Sequence, residues 1–395
     1  MMNEGPFPKR QPSCPPLTGD LRVRVAIVGG GLTGLSTAYH LRDLGADVAL
    51  LARSPIAAGS SGAFPGVVSV GLMDPISRVV PGLGEEGAFE LWAFSEANLS
   101  DLLQAIRQYD LPADLRGRGV LYRPSTPTEA GNLEAAAALL RQGGMSGWEL
   151  LRHPGLWGGD DRLGLLHVGG YEVSPDRVME GLLGVVSGAG VRVFESTEAG
   201  PPERVNGSVK VTSAEGSVVA DILVVAAGPR AATFAPVLKG RIHAVRAQAL
   251  ATQPVWAGVP NRPVLTNWGH EVYRPDPAGR LLVMGVNPSP KEADFVDSDE
   301  STPEFQSFLE QYAFRRFQGL RGARIEHRWG VPLSFSEDGL PVVGAVPGRP
   351  EILVGAGYGA STWHFAFRAG KALADLIRTG KADLPRSLSP RRWLS

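Results

Sequence analysis

The sequence predicts an α/β fold built on a Rossmann-type dinucleotide-binding domain, and three observations carry that prediction. An apolar run at residues 23–28 is typical of a parallel strand buried on both faces. Residues 29–34 follow directly and match the spacing G-x-G-x-x-G. A helical pattern then runs to a stop at Gly45, and residues 46–51 read as the second strand.

The glycines of this turn each have a physical role. Gly29 permits the tight turn, Gly31 lets a pyrophosphate approach the backbone, and Gly34 lets the helix pack closely on the strand. The free N–H groups at the helix start, including those of Leu32 and Thr33, face the phosphates together with the positive end of the helix dipole. The motif alone is weak in a chain with 50 glycines. Its place between a strand and a helix makes it specific.

The second strand lacks an expected acid. In this fold an Asp or Glu about 20 residues after the glycines accepts hydrogen bonds from the ribose hydroxyls. Ala52 stands there instead, followed by Arg53 and Ser54. A basic and hydroxylic pair suits a ribose 2′-phosphate. Alternatively, Arg53 is solvated and other contacts hold the adenosine.

The charge balance argues against several classes of partner. The 39 basic and 40 acidic residues nearly cancel, so neither nucleic acid nor an anionic membrane is expected as a partner. The single cysteine, Cys14, excludes an internal disulfide framework. We expect no metal, because five histidines show no metal-ligand spacing: His40, His153, His167, His243 and His327.

The N-terminal region and the hydropathy of the chain indicate where in the cell the protein is expected. Residues 1–20 are rich in proline and lack the apolar core of a signal peptide, so we expect a disordered tail and a cytoplasmic protein. No apolar run reaches the roughly 18 residues that span a membrane. We therefore expect no membrane span.

Later segments extend the pattern. Residues 59–66 form a small-residue loop, and a buried strand at 220–228 ends in Ala-Gly. Asp-Gly-Leu-Pro at 338–341 precedes another strand, a glycine-rich turn at 355–359 and a final helix over about 361–379. This succession resembles the FAD-dependent amine and amino-acid oxidoreductases of the D-amino-acid oxidase superfamily, such as glycine oxidase, sarcosine oxidase and γ-glutamylputrescine oxidoreductase. The resemblance runs from about residue 23 to 377.

The resemblance implies a domain division. An FAD-binding domain of the GR2 type is assembled from discontinuous segments, here 21–85, 165–235 and 325–395. An inserted α+β substrate domain with an antiparallel sheet takes up 86–164 and 236–324. Residues 89–109 look helical, and 120–122 and 281–284 look like strands of this insert.

The resemblance also implies a set of cofactor contacts beyond the glycine turn. The adenine lies near Ala199, and Ala227 and Gly228 close over the pyrophosphate. Arg53 stands at the adenosine end. The remaining contacts are to the flavin, from the small-residue loop and from the start of the final helix: Ser60, Ser61, Gly62, Gly357, Tyr358, Gly359, Ala360, Ser361 and Thr362. No cysteine or histidine is assignable to a covalent link, so we expect non-covalent FAD.

Two flavin-facing segments depart from the family pattern. Residues 360–362 are Ala-Ser-Thr where relatives often carry Gly-His-Gly, and residues 63–65 are Ala-Phe-Pro where many carry Arg-Asn-Gly. Side chains at 360 and 362 either crowd the flavin edge or replace backbone contacts with hydroxyls.

The activity that the resemblance implies is oxidation of the C–N bond of a small amine or amino acid by hydride transfer to flavin N5, giving an imine. Oxygen or a partner protein accepts the electrons. Arg274 is a candidate anchor for a substrate carboxylate, with Tyr273 and His364 as further candidates. The alternatives are an ion pair of Arg274 with an acid such as Glu271, and packing roles for Tyr273 and His364.

A second hypothesis is an enzyme of the same fold that uses the flavin for another oxidation and passes the electrons to a partner instead of oxygen. A third hypothesis belongs to a different class. The departures at Ala52, Ala360 and Thr362 leave open a flavin-free relative that keeps the fold as a binding or scaffolding module.

Overall fold

The computed structural model of the protein describes residues 10–152, 163–287 and 289–393. In these ranges the strands are β1 (Gly19–Val28), β2 (Val48–Leu51), β3 (Val67–Val68), β4 (Val120–Tyr122), β5 (Trp148–Arg152), β6 (Leu163–His167), β7 (Tyr171–Glu172), β8 (Arg192–Phe194), β9 (Glu203–Val205), β10 (Ser208–Thr212), β11 (Gly216–Val225), β12 (Ile242–Pro254), β13 (Val264–Thr266), β14 (Glu271–Pro275), β15 (Arg280–Gly285), β16 (Ile325–Ser336), β17 (Val342–Val346) and β18 (Arg349–Ala356). The α-helices are α1 (Leu32–His40), α2 (Ser60–Ala63), α3 (Ile76–Gln108), α4 (Pro127–Gln142), α5 (Pro175–Gly188), α6 (Ala231–Phe234), α7 (Pro303–Arg316) and α8 (Thr362–Thr379).

The first sheet has the strand order β17-β18-β11-β1-β2-β8, with β10 and β9 continuing from β11 as a meander. Its centre is parallel: β1 pairs in register with both β11 and β2, so that Val25 lies between Ile222 and Val48. Its central strands are apolar because both faces are covered. Ile27 packs in one core with residues of α1 and α8, and Ala26 packs in a second core with Val211 of β10 and Phe234 of α6. Helices α1 and α8 approach closely, and a Cβ on Gly370 would lie 2.5 Å from the Ser36 Cβ.

The second sheet has the order β16-β12-β15-β14-β13-β4-β6-β5 and is antiparallel except where β13 pairs with β4. Side chains alternate between its two faces. One face packs with α7 and buries Leu250, Tyr273, Val283, Leu309 and Phe317. The other face joins the main core of the molecule. The predicted α/β fold with an antiparallel second sheet is confirmed.

Sheet membership differs from the predicted domain boundaries at two places. Strand β6 pairs with β4 and β5, and β16 pairs with β12, so both belong to the second sheet. The prediction had placed residues from 165 and from 325 in the dinucleotide-binding domain. Strand β16 pairs with β12 from Ile325 to Ser336, so it stays in the second sheet along its whole length. The division of the chain into two domains stays a prediction.

The N-terminal segment also differs from expectation. Strand β1 begins at Gly19 rather than at residue 23. Residues 10–18 lie along the first sheet, with Leu17 buried. The Glu195 carboxylate accepts hydrogen bonds from the backbone N–H groups of Ser13 (2.5 Å) and Cys14 (2.7 Å). The expected disorder therefore does not extend over residues 10–20.

Two helices differ in length from the prediction. Helix α1 ends at His40, and a 3-10 helix over Arg42–Asp47 carries the chain to β2. Helix α3 begins at Ile76 rather than at residue 89, and it is kinked at Gly84, whose φ is +72°. Among the described residues, no helix has both the length and the apolar character needed to cross a bilayer.

Candidate active site

A cleft of about 330 Å³ lies at the carboxyl ends of β1, β2 and β11. This is where open α/β sheets bind their ligands. The predicted cofactor residues that line it are Gly29, Gly31, Leu32, Thr33, Arg53, Ser60, Ser61, Ala199, Ala227, Gly228, Tyr358 and Thr362. The fold thus brings together segments from the whole length of the chain, and the contact of each residue with a cofactor stays a prediction.

The glycine turn has the geometry that its sequence predicts. Gly29 has a φ of +116°, and a Cβ there would lie 2.1 Å from the Ala226 carbonyl oxygen. A Cβ on Gly34 would lie 1.9 Å from the Gly29 carbonyl oxygen. At Gly31, by contrast, the nearest atom to an added Cβ is the Ser61 Oγ at 3.3 Å. Gly29 and Gly34 therefore allow backbone segments to approach each other closely, whereas Gly31 leaves space at the cleft.

The N-terminus of α1 is prepared for an anion. Its N-cap residue, Gly31, makes no side-chain cap, and the first turn contains no acidic residue. The backbone N–H of Leu32 donates to the Ser61 Oγ at 3.2 Å. The free N–H groups and the helix dipole favour negative charge at this position.

The start of α8 forms a second side of the cleft through Tyr358 and Thr362. The Thr33 Oγ1 donates to the Tyr358 Oη at 3.2 Å, and burial raises the pKa of Tyr358, so its phenol stays neutral. The Thr362 hydroxyl donates to the Gly359 carbonyl. Ser361 accepts from the backbone N–H of Met73 at 3.0 Å. At this turn the hydroxyls satisfy protein backbone groups.

Six predicted cofactor residues support the cleft without lining it. A Cβ on Gly62 would lie 2.0 Å from the Ala57 carbonyl oxygen, and one on Gly359 would lie 2.5 Å from the Phe335 ring. Ala360 is buried and does not line the cleft, whereas Thr362 does, so the prediction of crowding at the flavin edge is left to Thr362 alone. The six are Gly34, Gly62, Gly357, Gly359, Ala360 and Ser361.

The second sheet contributes a wall that the sequence reasoning missed. Gly330, Pro332 and Ser334 of β16 line the cleft. The indole N–H of Trp329 donates to the Ala63 carbonyl at 3.1 Å and so ties β16 to the small-residue loop. The available signal was Pro332, because proline in a strand is confined to edges and bulges.

Four of the charged side chains that line the cleft form two ion pairs. The Arg53 Nη2 lies 3.1 Å from the Asp297 Oδ2, and Arg230 pairs with Glu198. All four residues line the cleft, as does Asp299. Of these, only Arg53 was predicted. The pairing with Asp297 replaces the solvated Arg53 considered from the sequence.

Arg274 and Tyr273 do not line the cleft. Arg274 is 1% exposed, and its Nε lies 3.4 Å from the Oε2 of the fully buried Glu172. Burial lowers the pKa of Arg274 and raises that of Glu172. The sequence had suggested Glu271 as the partner of an ion pair. That carboxylate instead accepts hydrogen bonds from the Tyr273 Oη at 3.1 Å and from Thr266.

His364 also lies away from the cleft, fully buried at the junction of α8 with the rest of the core. Its Nδ1 lies 2.9 Å from the Gly71 carbonyl oxygen, so this nitrogen carries the proton, and Nε2 has no hydrogen-bond partner in the described residues. Burial lowers its pKa to about 4. This position fits the packing role that the sequence left open for His364 as the alternative to substrate anchoring.

The described part of the chain contains no group of three or more His, Cys, Asp or Glu side chains that could hold a metal ion. His153, one of the five histidines that lack metal-ligand spacing in the sequence, lies outside the described residues. His167 is buried, and its Nδ1 lies 2.9 Å from the Ser69 Oγ. That contact gives it a structural partner.

Comparisons with known proteins agree with this geometry. The chain is 22% identical to the probable oxidoreductase OrdL of Haemophilus influenzae over 92% of this chain and 84% of that protein. It is 24% identical to γ-glutamylputrescine oxidoreductase of Escherichia coli, over 90% and 83% of the two chains. The crystal structure of glycine oxidase from Geobacillus kaustophilus superposes with a TM-score of 0.76 at 21% identity, covering 93% of this chain and 98% of that one.

The family model described as FAD dependent oxidoreductase matches residues 24–376, nearly the whole described chain. It confirms the resemblance drawn from the glycine turn and the later motifs, and it does not favour the scaffolding alternative. The chain belongs to the DAO family of FAD-dependent oxidoreductases.

Proposed function

We propose that this protein oxidises the C–N bond of a small amine or amino acid to an imine, which then hydrolyses. The observation that carries the proposal is the cleft itself, formed by a dinucleotide-binding turn on one side and by β16 of the second sheet on the other. The activities that give γ-glutamylputrescine oxidoreductase and glycine oxidase their names support this class of substrate. FAD, when bound, supplies the acceptor for the hydride.

The residues present fit such a cofactor. Gly31 leaves the backbone open at the start of α1, where the first turn carries no acidic side chain. Arg53 and Arg230 are the cations that line the cleft in the described residues, and both are balanced by carboxylates. The helix N-terminus would therefore be the main stabiliser of the pyrophosphate charge.

The start of α8 would stabilise negative charge at the flavin end. Thr362 lines the cleft, and the first turn of α8 contains no acidic residue. An anion that develops during reduction is favoured by the positive end of the helix dipole. The buried wall of β16 would exclude water from the reacting carbon.

Substrate anchoring has three candidate residues. Arg274 as the anchor of a carboxylate remains a prediction from the resemblance, and its buried pairing with Glu172 favours the ion-pair alternative. Substrate anchoring by Tyr273 and His364 is likewise a prediction from the resemblance. Both side chains have protein partners away from the cleft, which favours the packing alternative.

Three finer features are part of the proposal. FAD is held non-covalently, since no cysteine or histidine of the described residues lines the cleft. Oxygen or a partner protein takes the electrons from the reduced cofactor. The protein acts in the cytoplasm, as the sequence analysis predicts.

The test is an absorbance spectrum of the purified protein before and after it is mixed with FAD and the excess is removed. We expect the two visible bands of oxidised flavin at about one flavin per chain. Acid precipitation should release the flavin to the supernatant if it is not covalently bound. Anaerobic bleaching by amines or amino acids would then identify the substrate class. A colourless protein that takes up no FAD would contradict the proposal and would favour the flavin-free scaffolding alternative.

A further inference from the structure

The end of β2 has the backbone hydrogen bonds of a strand in a sheet, but it lacks the carboxylate that a Rossmann fold carries there. The backbone N–H of Ala52 donates to the Phe194 carbonyl at 2.9 Å, and its carbonyl accepts from the Thr197 N–H at 2.8 Å. The Ala52 side chain is buried and carries no polar group that could accept a hydrogen bond. A Rossmann fold uses an acid at this point to hold the ribose hydroxyls of the adenosine.

A carboxylate reaches the same place from the other domain. The Arg53 guanidinium, one residue beyond Ala52, is bound by Asp297 at 3.1 Å. Asp297 belongs to the segment between β15 and α7, which follows the second sheet. It lines the cleft, and its side chain is 24% exposed.

The backbone on both sides of Asp297 is held in place. The Arg246 Nη2 donates to the Ala293 carbonyl at 3.0 Å, and the Gly330 N–H donates to the Asp299 carbonyl at 2.7 Å. Residues 293–299 are therefore held against the second sheet at both ends, with Asp297 between them at the end of β2. Arg53 engages only one oxygen of Asp297, and the other, Oδ1, accepts no hydrogen bond from the described residues.

We propose that Asp297 is the carboxylate that accepts hydrogen bonds from the ribose hydroxyls of the cofactor's adenosine, with Arg53 as the positioning residue that holds it at the end of β2. This inference rests on the proposed function only in requiring that the cleft binds FAD. An ionised carboxylate beside a guanidinium keeps its second oxygen available as a strong acceptor. The adenosine end of the cleft is then closed by the second domain.

The arrangement has a consequence for specificity. Arg53 alone would suit a ribose 2′-phosphate. Asp297 balances the charge of Arg53, so the guanidinium is not free to bind a phosphate. Asp299, a second carboxylate at the cleft, would repel a phosphate added to the ribose. The cleft therefore selects an unphosphorylated ribose. Removal of the Asp297 charge should reverse that preference.

The experiment measures FAD binding to the apoprotein by quenching of flavin fluorescence. Asp297→Asn keeps the size of the side chain and removes its charge, and we expect about 10- to 100-fold weaker binding, the effect of losing hydrogen bonds to a charged group. Glu292→Gln is the matched control, because Glu292 is exposed on the same segment and does not line the cleft. It should bind FAD as the wild type does. Circular dichroism checks that both variants are folded.

Competition by adenosine diphosphates separates recognition from a general structural role. The wild type should prefer ADP over 2′-deoxy-ADP, and D297N should lose that preference and gain affinity for 2′,5′-ADP. The double variant Ala52→Glu with Asp297→Asn should recover FAD affinity, since it returns a carboxylate to the end of β2. If the wild type binds FAD and D297N binds it equally well, this inference fails while the proposed function stands. If the wild type binds no FAD, both fail.

Discussion

The indole nitrogen of Trp363 donates a hydrogen bond to the Ser61 carbonyl oxygen at 3.0 Å and so joins α8 to the small-residue loop. The Ser61 hydroxyl in turn accepts from the N–H of Leu32 at the start of α1. Three segments that are distant in the sequence thus meet at the cleft through one serine. Trp363 is fully buried, so this contact is shielded from water.

Trp363→Phe should destabilise the apoprotein by about 1–3 kcal/mol, because it leaves the buried Ser61 carbonyl without its donor. Urea unfolding followed by circular dichroism measures the free energy of unfolding. Trp256→Phe is the control, since Trp256 is 78% exposed. Equal stability of the two variants would show that the hydrogen bond contributes little.

Glu195→Ala should release the N-terminal segment. The Glu195 carboxylate accepts from the N–H groups of Ser13 and Cys14 through one oxygen and from the N–H of Ile56, at 2.6 Å, through the other. We expect faster trypsin cleavage after Arg10 and a loss of stability of about 3 kcal/mol. Mass spectrometry of a digestion time course measures the cleavage. Glu203→Ala, on an exposed strand position, should be cleaved at the wild-type rate, and a similar rate for E195A would contradict this role.

His364 should make the protein less stable in mild acid. Burial lowers its pKa from 6.5 to about 4, so the unfolded chain takes up a proton at a higher pH than the folded protein does. The stability that the neutral imidazole contributes is complete above about pH 6.5 and is lost as the pH falls toward 4. His364→Gln should reduce the stability difference between about pH 7 and pH 5 by up to about 2 kcal/mol.

The measurement for His364 is urea unfolding at several pH values, read as a slope so that the lost Gly71 contact does not confuse the result. His327→Gln is the same substitution at a histidine that is not fully buried, and it is measured in parallel. An unchanged slope in H364Q would assign the acid sensitivity to other groups.

Arg274→Met should destabilise the protein by about 3 kcal/mol, because the buried Glu172 carboxylate loses its buried partner and keeps only a longer contact with the exposed Arg118, at 3.9 Å. The double variant Arg274→Met with Glu172→Gln should recover much of that loss. Thermal unfolding of the two variants and of wild type measures both effects. The alternative role predicts a different outcome: stable folding, with a raised KM for amines that carry a carboxylate and an unchanged KM for those that do not.

The sequence by itself determined the turn from β1 to α1 and the family. The role of Gly34 follows from local geometry, because a Cβ there would lie against the carbonyl oxygen of Gly29, five residues earlier. Gly29 has a φ of +116°, a backbone conformation that favours glycine. Strands β1, β2 and β11 were likewise readable from their apolar runs, since burial on both faces leaves a strong local signal.

Only the tertiary structure decided the partners of the charged residues. Arg53 meets Asp297 across 244 positions, Arg274 meets Glu172 rather than the nearby Glu271, and Glu195 holds Ser13 and Cys14 across more than 180. The physical reason is that charged residues follow no repeating pattern along the chain, so the local sequence does not indicate which residue a charged side chain will pair with. Which carboxylate reaches a guanidinium depends on how the two sheets pack, and that packing places the Asp297 segment beside the end of β2.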